Sequence, residues 1–446
     1  MKNILKVSSP GIIFRKYRSG DEEGIASLLC SSFESFREYG INKEVWLGYG
    51  KIDSGFKPEN ALVAEYEGEI VGHVQIIHRR VKIGDNCYVD MGGIANVSTM
   101  PEMRRRGIGT TLLMNAIEQC MNEGIPLSGL YTSYGSAAHR MYKRAGYEDT
   151  FLCKALVGTV DEIKRVKDNC GETGGVVIRH YEDGDEEKML KTYLEWGRSY
   201  TGLVERSIEY WRRKLVERSA IHTFFYGDFD PEEVFIAVEN GEVTGYAYTT
   251  LCKKKKVPFR PPEAAIIREL VFKPGCLKSL ISLADAVMDF FISEDVKLCE
   301  VASPLEDTYL TVFKPLRQMP QGMFMTHIPL IYKLFEELKS ELENRLSRTP
   351  LLGGKIAVEF ETPYGSIRLG LRGGEVNIPI DEEPTVKIFF DSNSFTRMVF
   401  GVETINDLVA ENMVRIHTTH YLGRVLSIVQ ALFPRRTWFM SPMDHW

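Results

Sequence analysis

The chain has 446 residues, 44% hydrophobic and 26% charged, ordinary values for a soluble globular protein with length for two to four domains. Its net charge of −6 gives no support to nucleic-acid binding as the main task. Eight cysteines without a Cys-x-x-Cys pair argue against a disulfide framework and a zinc site; with no signal-peptide core and no run of ~18 apolar residues, a cytoplasmic protein without membrane or metal is expected.

The first pattern in chain order is Phe14-Arg-Lys-Tyr17-Arg-Ser-Gly20-Asp-Glu-Glu23. It reads as a short strand, a Gly-Asp turn able to cap, and an amphipathic helix with acidic first-turn residues. Val63-Ala-Glu-Tyr-Glu-Gly68-Glu-Ile-Val-Gly72 then reads as strand, tight turn, strand. A further β-type run from Tyr88 ends near Thr99. A turn carrying Arg104-x-x-Gly107-x-Gly109 follows and leads at once into a helix from Ile108 to about Asn122.

Unpaired N–H groups and the dipole at that helix start favour an anion. Gly107 and Gly109 let the backbone approach it, and Arg104, Arg105 and Arg106 add positive charge. The segment reads as a diphosphate cradle. A Walker loop would need a Lys after the glycines, and a dinucleotide fingerprint a third glycine where Leu112 stands. An Arg-rich helix cap without a ligand is the alternative.

Gly124 to Ser133 reads as a turn and a buried-type strand. Ser136-Ala-Ala-His-Arg-Met-Tyr142-Lys-Arg-Ala-Gly146-Tyr147 reads as a short helix with Gly at its C-terminal end. His139 is expected on its surface. The Tyr142 phenol, with an ordinary pKa near ~10, is protonated at neutral pH and is a candidate general acid; a core tyrosine is the alternative. Cys87, Cys120 and Cys153 read as buried small hydrophobes.

Arg-x-x-Gly-x-Gly after a strand, followed across another strand by Tyr-x-x-x-Gly-Tyr, resembles the two halves of the GNAT N-acetyltransferase pattern. The resemblance implies acetyl-CoA as co-substrate, with no metal. It assigns the coenzyme to Val97, Ser98 and Thr99, to the loop residues Arg104, Arg105, Arg106, Gly107, Ile108, Gly109 and Thr110, and to Ser133. Tyr142 would protonate the departing thiolate. Asp90 would be a base acting through water.

Near residue 176 the pattern recurs. Ile178-Arg-His-Tyr181-Glu-Asp-Gly184-Asp-Glu-Glu187 repeats the first segment, and Ile236-Ala-Val-Glu-Asn-Gly241-Glu-Val-Thr-Gly245 repeats the hairpin. After the strand starting at Ala265, however, comes Lys273-Pro-Gly275 and no loop motif. The second unit is expected to keep the fold without the site. From about residue 327 a helix is followed by alternating segments at 355–360, 366–371, 375–378 and 385–390, then helices at 394–400, 405–411 and 425–433. A small antiparallel sheet in an α+β domain is expected. It resembles the sterol-carrier-protein-like fold, serving as scaffold or apolar-ligand pocket.

The expected fold class is thus mixed α/β, with two tandem GNAT-fold domains and a small α+β sterol-carrier-like end. Residues 1–160 form the catalytic unit, 161–326 the degenerate one, and 327–446 the last. This organisation resembles the enhanced intracellular survival (Eis) family. There the final residue's α-carboxylate acts as catalytic base, so the resemblance assigns catalysis to Tyr142 and Trp446, with Asp90 as the competing base. It also implies a homo-oligomer, a hexamer. An apolar, aromatic tail ending Met443-Asp-His-Trp446 fits a buried end better than a frayed one. The Ser133–Tyr142 spacing is a few residues longer than that family leads one to expect, which leaves the contacts around Tyr134 open. The expected activity is acetyl-CoA-dependent transfer, directly within a ternary complex, to a primary amine: an aminoglycoside-like or polyamine-like cation, or lysine. The alternative is a non-enzymatic acyl-CoA or lipid-binding protein.

Overall fold

The structure, a computed structural model, describes residues 11–171, 173–217, 228–253, 257, 259–349 and 354–445. The Met1 start and Trp446 lie outside the described residues. In chain order the strands are β1 (Ile12–Lys16), β2 (Phe56–Tyr66), β3 (Glu69–Lys82), β4 (Tyr88–Thr99), β5 (Leu127–Thr132), β6 (Glu148–Thr159), β7 (Val176–His180), β8 (Tyr200–Thr201) and β9 (Val234–Glu239). They continue as β10 (Glu242–Leu251), β11 (Ala264–Phe272), β12 (Leu298–Val301) and β13 (Arg317–His327). All but β8 join one twelve-stranded sheet, ordered β1-β2-β3-β4-β5-β13-β6-β12-β11-β10-β9-β7.

The internal repeat is legible at the level of side chains. Arg15 forks onto Asp21 at 2.7 and 2.8 Å, and Arg179 onto Asp185 at 2.6 and 2.8 Å. The Tyr17 hydroxyl donates to Glu22, and that of Tyr181 to Glu186. Both hairpins are two-residue turns: Glu67 and Gly68 in the first, Asn240 and Gly241 in the second, all at positive φ, the backbone a type I′ turn requires. Each unit is therefore an antiparallel meander ending in one parallel pair, β4 with β5 and β11 with β12.

At the centre the units trade strands. β13, the last of the twelve in sequence, pairs with β5, while β6 pairs with β12, and β6 and β13 pair with each other. Among the described residues no helix is long and apolar enough to cross a membrane.

The third region is a five-stranded sheet of β14 (Lys355–Thr362), β15 (Gly365–Arg372), β16 (Glu375–Asn377), β17 (Val386–Phe390) and β18 (Val414–Thr418), ordered β16-β15-β14-β17-β18. The expectation of a purely antiparallel sheet fails at its centre, where β14 and β17 run parallel. β18 is an additional edge strand. The helix Ile331–Ser347 lays Leu334, Phe335, Leu338, Leu342 and Leu346 into the core against Ile356, Val358, Phe360 and Leu369. Burying each such side chain contributes about 1.5–3 kcal/mol. The same cluster includes Val81, Val89 and Met91 of the first unit. The chain then returns: β19 (Thr437–Trp438) pairs with β8, and Phe439, Met440, Ser441, Met443 and Asp444 are buried.

Candidate active site

The parallel strands β4 and β5 stay together only from Met91–Leu127 to Gly93–Gly129. β4 runs on to Thr99 and β5 to Thr132 without further pairing, so the sheet opens into a cleft there. A bulge in β4 accompanies the opening: Gln75 faces Ala95 and His73 faces Ser98, and Asn96 is at φ 53°. The His73 ring fixes the bulge, its Nδ1 lying 3.1 Å from the Asn96 carbonyl oxygen. A carbonyl only accepts, so Nδ1 carries the proton. Burial pushes the His73 pKa down to about 4, against the pull of that hydrogen bond, and the ring is neutral at pH 7.

Below the cleft the loop after Thr99 turns into the helix Ile108–Asn122. Arg105 at φ 64° and Gly107 at φ 81° shape the turn, and Gly107 is the N-cap. The leading N–H groups have no intrahelical acceptor, and among the described residues no side chain caps this helix and no acid sits in its first turn. Arg104, Arg105 and Arg106 are exposed, and Arg104 Nε donates to the Thr99 carbonyl at 3.2 Å, tying loop to strand end. A Cβ on Gly109 would lie 3.1 Å from Met141 Sδ and 3.5 Å from Thr99 Oγ1. Strand end, loop and the helix Ala137–Arg144 therefore converge at Gly109, bringing Val97, Ser98 and Thr99 together with residues 104–110. The Ser98 hydroxyl is buried without a partner among the described residues.

Tyr142 sits in the Ala137–Arg144 helix, which Ser136 caps by accepting from the His139 N–H at 3.0 Å. Its ring is buried in one cluster with Ile108, Leu112, Leu130 and Tyr147. Burial pushes its pKa up to about 12, so it is a protonated phenol at neutral pH, and its hydroxyl has no hydrogen-bond partner among the described residues. Ser133 is exposed, at the turn before this helix, its carbonyl accepting from Ser136 N–H at 3.2 Å. His139 is not a surface residue as expected: it is buried, with Nε2 2.7 Å from Asp149. Asp90 sits at the opposite end of β4 from the cleft, about 30 Å of extended strand from Thr99. There it pairs with Arg80 at 3.0 Å, and its N–H donates to Glu337.

On the other face of the sheet lies a group that single residues do not announce. Arg79 forks onto Asp53 at 2.7 and 2.5 Å, and Lys214 Nζ donates to Asp53 at 2.9 Å and to the His445 carbonyl at 3.4 Å. Arg206 forks onto Glu269 at 2.9 and 2.6 Å and binds Asp444 at 2.8 Å; Tyr210 donates to Asp444, and Tyr246 and Ser441 to Glu269. Three buried cations face three buried carboxylates, which lets the charges persist in the interior. Burial alone would raise the Asp53 pKa, but Arg79 and Lys214 more than offset it and hold the carboxyl well below its usual range. Burial brings Lys214 down to about 8 despite Asp53. This network joins both units to the tail, and the His445 ring comes 4.7 Å from Tyr131 on β5.

Residues 14–150 match the family model described as an acetyltransferase (GNAT) domain, so the first unit is a domain of that kind. Mycothiol acetyltransferase of Streptomyces griseus subsp. griseus is 27% identical over 140 residues, 31% of this chain and 43% of that protein. The match thus spans less than half of the curated relative. A GCN5-related N-acetyltransferase structure from Anabaena variabilis superposes with a TM-score of 0.69 at 16% identity, covering 98% of this chain and 100% of that one. Eis1 from Mycobacterium abscessus superposes at 0.62 with 14% identity, covering 98% and 100%. At such identities the likeness is one of fold, and it extends over nearly the whole chain.

Proposed function

We propose that this chain is an acetyl-CoA-dependent N-acetyltransferase that moves the acetyl group directly to a primary amine within a ternary complex. The observation that carries this is the cleft between β4 and β5, which opens beside an uncapped, arginine-flanked helix start and a protonated Tyr142 packed on the same helix. The helix N–H groups and Arg104–Arg106 suit a diphosphate. Beyond Gly93 the edge of β4 that faces β5 has no partner strand, which suits the amide groups of an extended arm along 97–99.

In the proposed reaction the amine nitrogen attacks the thioester carbonyl carbon. The C–S bond then breaks, the sulfur takes the Tyr142 proton, and solvent reprotonates the tyrosinate. Trp446 is the proposed acceptor of the amine proton through an α-carboxylate. The approach of His445 to Tyr131 supports this, while the place of Asp90 at the far end of β4 favours no role for it.

The third region is proposed as a sterol-carrier-like scaffold. Phe335, Phe360, Phe395 and Phe433 fill the space between its helices and sheet with ring contacts of 5.8 to 6.4 Å. A cytoplasmic homo-oligomer, a hexamer by resemblance, completes the proposal. Thiol release from acetyl-CoA with a panel of primary amines tests it. Absence of both acetyl-CoA binding and thiol release overturns it, and full activity after one residue is appended to Trp446 removes the proposed base.

A further inference from the structure

A cavity of about 200 Å³ opens on the face of the sheet opposite the Ile108–Asn122 helix. Tyr131 borders it, two residues beyond the point where β5 parts from β4, while Leu130 packs under that helix on the other face. The cavity thus adjoins the parting of the strands that the proposed coenzyme arm would occupy. Five rings surround it, those of Tyr131, Phe151, Trp438, Phe439 and His445. Phe151 and Trp438 stack with centroids 4.7 Å apart at 22°, and the His445 ring lies 4.7 Å from Tyr131. Such walls suit a flat apolar guest, because ring-to-ring contacts add to what burial of the area alone contributes. The volume is below the ~300–1,000 Å³ of pockets for drug-sized molecules, leaving room for one ring and a short amine arm.

Glu300, from β12, is the one acid among the described lining residues. Arg260, from the loop before β11, grips it at 2.9 and 2.6 Å. The same guanidinium donates to Gln321 Oε1 at 3.4 Å and to the Phe259 carbonyl at 3.2 Å, contacts that hold it over the carboxylate. Lys154 of β6 adds a further cation to the wall. An incoming ammonium therefore meets no carboxylate without a cation of its own among the described lining residues. One amino group gives up its charge as it reacts. A second would remain an ammonium, held against rings and against Lys154.

Resting on the proposed N-acetyl transfer, we infer that this cavity receives the acetyl acceptor and selects an aromatic monoamine, one ring on a short primary-amine arm, over polyamines. Arg260 is its specificity-determining residue: by neutralising Glu300 it denies a second ammonium a counter-ion. Phe151 and Trp438 form the stacked wall against which the acceptor ring lies.

The full chain is tested with phenethylamine, butylamine, para-aminomethylphenethylamine, spermidine and kanamycin. The readouts are thiol release from acetyl-CoA and calorimetric binding of each amine in the presence of CoA. Phenethylamine is expected to exceed the other amines roughly tenfold or more in kcat/KM and in affinity. Arg260→Gln frees Glu300 and is expected to raise kcat/KM for the ring-bearing diamine about tenfold, with acetyl-CoA affinity unchanged. Adding Glu300→Gln is expected to remove that gain, and a gain of turnover cannot come from lost folding. Phe151→Leu is expected to shrink the advantage of phenethylamine over butylamine. A wild-type preference for spermidine or kanamycin, or diamine discrimination unchanged in Arg260→Gln, overturns the inference while leaving the transferase reading intact. Phenethylamine-selective binding without thiol release from any amine upholds the cavity's selectivity and overturns the transferase reading instead.

Discussion

Arg206 and Asp444, 238 residues apart in sequence, meet in the interior with Nη2 2.8 Å from Oδ2, and neither side chain reaches solvent. Because Arg206 also forks onto Glu269, it pairs with two buried carboxylates at once, the one cation among the described residues to bridge them. The two ends of the pair are therefore not equivalent.

Arg206→Met should leave Glu269 and Asp444 facing each other without their shared cation and cost about 3–5 kcal/mol, the scale of a broken buried pair. Asp444→Asn leaves Arg206 balanced by Glu269 and should cost clearly less. Denaturant midpoints of the two variants check the order. Equal losses would show that the cation is not shared as the geometry has it.

Tyr142→Phe removes a hydroxyl with no hydrogen-bond partner among the described residues, so thermal stability should hold or rise slightly. If that hydroxyl protonates the leaving thiolate, kcat should fall about 10²–10⁴-fold with acetyl-CoA affinity unchanged. An unchanged kcat in a stable variant would remove Tyr142 from the chemistry.

His73 should make folding acid-sensitive. Its folded pKa is pushed down to about 4 by burial, below its ordinary value near ~6.5, so between these values the unfolded chain binds more protons. Stability attributable to this ring is fully present above about pH 6.5 and drains away as pH falls toward 4, with a slope of at most ~1.4 kcal/mol per pH unit. His445, also pushed down to about 4 by burial, adds to the same window. Urea midpoints measured from pH 7 to 4.5 should fall with acidification, and His73→Gln should flatten that fall. A wild-type curve that is level over this range contradicts the neutral, buried ring.

Gly107 stands at φ 81°, where a side chain is strained, and it begins the uncapped helix. Gly107→Glu combined with Arg106→Glu should cut acetyl-CoA affinity by about tenfold or more, by crowding and reversing charge at the proposed diphosphate position. Wild-type affinity should also weaken with added salt, because the three arginines are exposed and screened. Calorimetry reads both, and a salt-independent Kd would point away from the loop.

Local features were legible in the sequence because they are written in neighbouring residues. The Glu67-Gly68 and Asn240-Gly241 turns, the loop from Arg104 to Gly109 and the Tyr142 helix each depend on a few adjacent side chains. What depended on distant partners was not. His139 reads as a surface residue until Asp149, beyond a turn, folds back onto it. The bulge at Asn96 exists only relative to β3, and His73 looks like any strand histidine without it. Asp53 and Lys214, 161 positions apart in sequence, resemble solvated charges until the fold places them together in the interior. β18, with alternating half-buried and exposed positions at a sheet edge, carries too little hydrophobic signal to stand out.

The exchange of β6 and β13 has a bearing on how the molecule comes into being. A nascent polypeptide released up to residue 160 would offer β5 without a neighbour on that side, since the strand that belongs there is synthesised last among the twelve. The amino-terminal half must await the carboxy-terminal half on the ribosome, and a repeat stitched in this way cannot be deleted without leaving β5 unpaired on that side. That structural dependence is reason enough for the repeat to persist.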